Sequence, residues 1–240
     1  MMKNILITGA GRGLGLAIAN RLSKEDYRLI CLSRTLSEEL QSLIDSSGDD
    51  VVFQQYDLQD LDGIPSLVSS ITKKYGPLYG IINNAGIGLD GLLATQHATD
   101  ISKVLRVNLE APILLTKYAC RSMLTRMEGR VINVSSIIAS TGFNGLSVYA
   151  ASKAGLEGFT RSLSRELGRA NITVNCIAPG YMETEMTKGL EGKKLESVKR
   201  RAPLGLPSPD DVTGAVAYLL SADSSKMTGS IMTIDGGSTA

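Results

Sequence analysis

The sequence predicts an α/β fold: a doubly wound, seven-stranded parallel sheet with helices on both faces. Three observations carry this. Seven short, β-branched apolar runs recur along the 240 residues, longer segments of helical periodicity separate them, and no linker, repeat or low-complexity tract interrupts the alternation. A chain of this length fits one domain spanning 1–240.

The first run, "NILITG", leads into "TGAGRGLG" at 8–15 and then the helical pattern "LGLAIANRLSKE". Its glycines follow G-x-x-x-G-x-G rather than G-x-G-x-x-G. Without β-carbons the backbone can turn tightly and approach a pyrophosphate, while the helix N-terminus offers free N–H groups and partial positive charge. Gly9, Arg12, Gly13, Leu14 and Gly15 are therefore candidate cofactor contacts. The second run, "RLICLSR", ends on Ser33 and Arg34. An acidic residue about 20 positions beyond the loop would hold the adenosine ribose of NAD, whereas arginine accommodates a 2′-phosphate. Arg34, with Arg12 reaching from the loop, predicts NADP(H), because planar guanidinium suits phosphate oxygens.

The remaining runs close on equally chemical ends. "VVFQQYDL" ends at Asp57 and Leu58, "LYGIINNAG" at Asn84, Ala85 and Gly86, "RVINVSS" at Ser135 and Ser136, and "ITVNCIAPG" at Pro179 and Gly180, with "SIMTIDGG" as the seventh run. Ligands of open α/β sheets bind beyond the carboxyl ends of the strands, so these residues should gather along one edge. Between the fourth and fifth runs, "RVNLEAPILL" reads as helix interrupted by Pro112. Proline has no N–H for the carbonyl four residues earlier, which is that of Asn108, so that carbonyl should be set free. In "SVYAASKAG", Tyr149 and Lys153 stand four apart and share a helix face. "DVTGAVAYLLSA" supplies a late amphipathic helix.

Together "TGAGRGLG", "NNAG", Asn108, Ser136, "YAASK" and "PGYMET" resemble the short-chain dehydrogenase/reductase family over essentially the whole chain, with Ser136 thirteen positions ahead of Tyr149. The resemblance implies a single Rossmann-type domain, NAD(P)-dependent chemistry at a carbonyl or alcohol, and a homotetramer. It implies that Tyr149 is the general acid in reduction, that Lys153 also binds the nicotinamide ribose, that Ser136 bonds the substrate oxygen, and that Asn108 holds a water in a proton relay. Ser135 is expected to be structural. The resemblance also assigns Asp57 and Leu58 to adenine, Asn84, Ala85 and Gly86 to the adenosine ribose, and Pro179, Gly180, Met182 and Thr184 to the nicotinamide carboxamide. A phenol with pKa about 10 is a sluggish donor, and lowering it by about three units takes about 4 kcal/mol. A desolvated Lys153 beside oxidised nicotinamide is expected to supply this.

Within the family, "NNAGIGLDGLL", "KAGLEGFTRSLSREL", "ITVNCIAPGYMETEM" and "IDGG" are similar to 3-oxoacyl-[acyl-carrier-protein] reductases, which implies reduction of a carrier-bound 3-oxoacyl thioester in fatty acid synthesis. The segment "ATQHATDISKVLRV" departs from that subgroup. A sugar, steroid or polyketide ketone is the alternative substrate, and a non-catalytic NADPH-sensing regulator the alternative of another class. Carrier proteins are acidic, so Arg126, Arg130 and Arg169 are expected to border the site as a docking patch. "YMETEMTKGLEGKKLESVKRRAPLGLP" is expected to form a mobile lid. The small helix after Tyr149, with Ala154, Gly155 and Gly158, suits close contact between copies.

Composition narrows the rest. Lysine and arginine total 25 against 24 acidic residues, a net charge of +1, which leaves no overall footprint for nucleic acid or an anionic membrane. Cys31, Cys120 and Cys176 lie in apolar runs without metal spacing, as expected of a reduced, cytoplasmic protein. His97 is the sole histidine and is expected at the surface, so no metal and no histidine catalysis are predicted.

Overall fold

Successive side chains of a buried strand point to opposite faces, and here both faces are apolar. The computed structural model describes residues 2–183 and 192–240. β1 (Lys3–Thr8) sends Ile5 and Ile7 into one core and Leu6 into the other. β2 (Tyr27–Ser33) does the same with Leu29 and Cys31 against Ile30 and Leu32. β3 (Val51–Gln55), β4 (Leu78–Asn83), β5 (Gly129–Val134), β6 (Ile172–Pro179) and β7 (Ile231–Ile234) complete the sheet. The order is β3-β2-β1-β4-β5-β6-β7 and every pairing is parallel. The strand order reverses direction between β1 and β4, which makes a crevice at their carboxyl ends.

One face is covered by α1 (Gly13–Leu22), α2 (Glu38–Ser47) and α9 (Pro209–Leu220). The other carries α3 (Ile64–Tyr75), α5 (Ala111–Arg126) and α7 (Ser147–Leu167). Each fully buried Ile or Leu between these layers contributes about 1.5–3 kcal/mol, so the sheet is a rigid platform for whatever its edge carries. α4 (Ala98–Leu105) and α6 (Ile138–Thr141) pack on α7. α8 (Gly192–Arg201) lies within the segment predicted as a lid, of which residues 184–191, including Thr184, are outside the described residues.

The interruption predicted at Pro112 takes a specific form. Between α4 and α5 the helix widens into a π-turn at Arg106–Glu110, and the Ala111 N–H bonds back to the Arg106 carbonyl five residues earlier. A wide turn accommodates the proline ring without breaking the helix in two.

Topology corrects one expectation. Arg126 ends α5 just before β5 begins, Arg169 follows α7 just before β6 begins, and Arg130 is the second residue of β5. All three therefore lie at the amino edge of the sheet, away from the carboxyl ends where the ligand crevice forms. Arg130 is also buried, donating to the carbonyls of Gly129 (2.9 Å) and Ser221 (3.3 Å). These arginines do not border this subunit's site, because helices running antiparallel to the strands return the chain to the opposite edge.

Candidate active site

The glycine loop is shaped by two different demands. Gly9 has φ +68°, and a β-carbon there would lie 2.9 Å from the Ala85 Cα. One at Gly15 would collide with the Gly9 carbonyl. These two glycines let β1, α1 and the "NNAG" turn close on one another. Gly13 differs: with φ +53° its missing β-carbon faces open space, so room is left for a ligand to approach the backbone. α1 also begins without a side-chain cap, since its N-cap is Arg12, whereas Ser37 caps α2 by accepting from the Leu40 N–H at 3.2 Å. The leading N–H groups of α1 are thus left for an anion. Arg12 and Arg34 are exposed and form no ion pair among the described residues. Ser33 turns its hydroxyl onto the Thr35 carbonyl at 2.7 Å. This donor set fits a dinucleotide carrying an extra phosphate.

The "NNAG" turn is fastened to β1. Thr8 Oγ1 accepts from the N–H groups of Asn84 and Ala85, both at 3.0 Å, and Asn84 Nδ2 donates to the Thr8 carbonyl at 2.9 Å. Gly86 then passes so near Lys153 that a β-carbon would lie 3.3 Å from its Nζ. Beyond it, Asn108 is fully buried and grips Ile87 twice. Its Oδ1 accepts from the Ile87 N–H (2.8 Å) and its Nδ2 donates to the Ile87 carbonyl (2.9 Å) and to Ser152 Oγ (3.2 Å). The amide is fully engaged, so any further role of Asn108 rests with its backbone carbonyl.

Tyr149 and Lys153 share the face of α7 that looks onto the end of β5. Lys153 Nζ lies 5.7 Å from the Tyr149 ring centroid and donates to the Val134 carbonyl at 2.8 Å. The lysine is 3% exposed, and burial pushes its amine down to about 8. Burial also raises the Tyr149 phenol; a hydrogen bond with the Ser136 hydroxyl pulls it down and the nearby Asp90 carboxylate adds to the rise. The expected lowering by Lys153 is therefore not the net outcome in the chain alone. A dry pocket disfavours both charged forms, and the ammonium is directed at Val134 rather than at the phenol. A protonated Tyr149 is nonetheless the form that can donate a proton.

The two adjacent serines separate cleanly. Ser136 lowers the Tyr149 phenol and its Oγ accepts from the Ile138 N–H at 3.3 Å, whereas Ser135 is buried and directed away, its hydroxyl within bonding distance of Glu157 Oε1 (2.9 Å) and the Lys153 carbonyl (3.3 Å). Its N–H donates to the Ile177 carbonyl at 2.7 Å, which locks β5 to β6 beneath the site. Deeper still, Asn83 Nδ2 donates to Thr116 Oγ1 and Asn133 Oδ1, and Asn133 Nδ2 donates to Thr160 Oγ1 at 2.8 Å. This buried chain ties β4 and β5 to α5 and α7, so the helix bearing Tyr149 cannot shift independently.

The other predicted positions are distributed along the same edge. Asp57 is exposed, its Oδ1 accepting from the Gln59 N–H at 2.9 Å, while the Leu58 side chain belongs to the core, leaving only its backbone for a ligand. Pro179 ends β6, Gly180 donates to the Ile234 carbonyl at 2.8 Å, and Met182 packs on the core. His97 is exposed at the start of α4. Sequence reasoning missed Asp90 and, although Thr8 closes the first run, its anchoring of the "NNAG" turn, because both gain their significance from contacts between loops far apart in the chain.

The model of the short chain dehydrogenase family matches residues 3–194. The chain is 35% identical to the 3-oxoacyl-[acyl-carrier-protein] reductase FabG of Vibrio cholerae over 98% of this chain and 96% of that one. It is 36% identical to the human 3-oxoacyl-[acyl-carrier-protein] reductase, covering 99% and 98% respectively. A crystal structure of a gluconate 5-dehydrogenase from Burkholderia cenocepacia, in complex with NADP and tartrate, superposes with a TM-score of 0.94 at 27% identity, covering 99% of this chain and 95% of that one.

Proposed function

This chain belongs to the short chain dehydrogenase family, and from that premise we propose that it reduces the 3-oxo group of an acyl thioester carried on acyl carrier protein, with NADPH. It is an NADP-dependent oxidoreductase acting on the CH–OH/C=O pair. The observation that carries the substrate reading is the likeness to 3-oxoacyl-[acyl-carrier-protein] reductases along nearly the full length of both chains. A cytoplasmic homotetramer working in fatty acid synthesis completes the proposal.

We assign the site residues the roles that the family resemblance implies and that their placement supports. When bound, NADPH supplies a hydride to the carbonyl carbon. Negative charge developing on the substrate oxygen is met by the Ser136 hydroxyl and by a proton from Tyr149, which burial keeps protonated. Lys153, held by the Val134 carbonyl and close to Gly86, supplies positive charge beside the phenol and would bind the nicotinamide ribose hydroxyls. Asn108 keeps Ile87 and the "NNAG" turn in place, and its carbonyl, which Pro112 cannot engage, anchors the relay that returns a proton toward Lys153. Arg12 and Arg34 hold the 2′-phosphate, Gly9, Gly13, Leu14 and Gly15 the pyrophosphate. Asp57 and the Leu58 backbone flank adenine. Asn84, Ala85 and Gly86 would border the ribose, and Pro179, Gly180 and Met182 the carboxamide, a role the resemblance also gives to Thr184.

The likeness to gluconate 5-dehydrogenase supports a second reading, interconversion of a sugar-acid ketone and alcohol. The loss of NADPH absorbance with acetoacetyl thioesters, set beside 5-ketogluconate and a panel of neutral ketones, decides between them. Preferential turnover of the thioesters is the expected result; preference for 5-ketogluconate would replace the first reading with the second.

A further inference from the structure

The loop after β4 passes against the turn that leads into Tyr149. Asp90 follows the Ile87 that Asn108 clamps, and the Gly91 N–H donates to the Gly145 carbonyl at 2.9 Å, four positions before Tyr149. The approach is close, for a β-carbon on Gly145 would lie 3.7 Å from the Gly91 nitrogen. Asp90 is thereby held beside the turn into α7, and its charge adds to the burial that raises the Tyr149 phenol. It is exposed, its Oδ1 lies 3.8 Å from where a β-carbon on Gly88 would be, and it has no ion-pair partner among the described residues. The rim continues with Leu92 and Leu93, 61% and 58% exposed, so the loop offers apolar surface there and no compensating cation. Lys153 is turned inward onto Val134.

We infer that Asp90 is a specificity-determining residue, excluding substrates with an anionic group beside the reacting carbonyl and admitting those whose neighbouring group is neutral. The inference deepens the proposed reading: a 3-oxoacyl thioester presents a neutral carbonyl where the corresponding free 3-oxo acid presents a carboxylate. Two like charges within a Debye length in a partly dry cleft repel by enough to change affinity about tenfold or more.

The test compares kcat/KM for ethyl acetoacetate, the N-acetylcysteamine thioester of acetoacetate, and acetoacetate itself, in the parent and in Asp90→Asn, at low salt and at 0.5 M salt. The parent should favour both neutral substrates strongly. In Asp90→Asn the ratio of acid to ester should rise about tenfold at low salt, and less at high salt where the parent's repulsion is screened. A ratio that changes by less than twofold overturns the inference. Should the thioester prove inert while the acid-to-ester ratio shifts as stated, the role of Asp90 stands and the thioester reading falls. Absence of turnover with every neutral ketone overturns both.

Discussion

The two edges of the sheet are both rich in polar and charged side chains, yet they use them differently. At the amino edge most groups pair with one another, although the buried Asn4 Oδ1 and Arg130 Nε have no hydrogen-bond partner among the described residues. Lys3 pairs with Glu128 at 2.8 Å and lies over the Tyr79 ring, Arg130 faces the same ring, Tyr79 donates to the Leu220 carbonyl, and Asn4 Nδ2 donates to the carbonyls of Tyr75 and Pro77. At the carboxyl edge capacity is left open. Gly13 borders free space, α1 has no side-chain cap, Arg12 and Arg34 are without ion-pair partners among the described residues, and a buried lysine gives one hydrogen to a carbonyl. Polar groups closed among themselves stabilise a fold modestly, whereas groups held rigid and left unsatisfied can receive a ligand.

The sharpest way to break this contrast is at Lys153. Lys153→Met should cut turnover by up to about 10⁴-fold, yet leave folding stability at pH 7 no lower, because the parent already bears the cost of a buried charge. The pH dependence fixes the sign. Between about 8 and the ordinary lysine value of 10.5, the folded parent has released this proton and the unfolded chain still holds it. Unfolding then takes up a proton, so the parent should gain stability on the variant as pH rises through that window. Denaturant unfolding at pH 7 and pH 10 measures it; a variant far less stable at pH 7 would show that Lys153 belongs to the closed kind of group.

Adjacent serines give the next comparison. Ser136→Ala should lower kcat by about 10²-fold with little change in stability, as the loss of one donor to a developing oxyanion does. Ser135→Ala should cost about 1–3 kcal/mol of stability by leaving Oε1 of Glu157, a residue only 8% exposed, without the Ser135 hydroxyl, and affect turnover far less. Steady-state kinetics and thermal melts on both variants separate the two roles; equal kinetic losses would contradict the assignment. At the mouth, Arg34→Asp should reduce the preference for NADPH over NADH by about 10–100-fold, measured as a ratio of kcat/KM. An unchanged ratio would detach Arg34 from the 2′-phosphate. The smallest effect belongs to the amino edge: Tyr79→Phe removes the bond to the Leu220 carbonyl and should cost about 1 kcal/mol with unaltered turnover.

The same contrast explains what was legible in the sequence. Strands advertise themselves because burial on both faces demands unbroken β-branched runs, and the glycine loop because only glycine permits its close approaches; both are local facts. Spacing placed Tyr149 and Lys153 on one helix face, but only the motifs around them gave the pair a role. The π-turn was half visible, as Pro112 announces a disturbance but its form depends on how α4 and α5 pack. Edge polarity misled the reading of Arg126, Arg130 and Arg169, since nearness in sequence to β5 and β6 says nothing of which end of the strand is meant until the helix direction is followed. The direction of the Tyr149 shift depends on burial and on Asp90, a neighbour 59 positions away in sequence that is brought close through the Gly91–Gly145 bond.

Substitution of Tyr149 by phenylalanine probes the central claim most directly, since it removes one hydroxyl and leaves the ring on α7. Turnover of an acetoacetyl thioester by Tyr149→Phe should fall by about 10²–10⁴-fold while NADPH binding and the melting temperature stay near those of the parent. Carbonyl reduction at close to the parental rate, in a variant that still folds and still binds NADPH, would contradict the account.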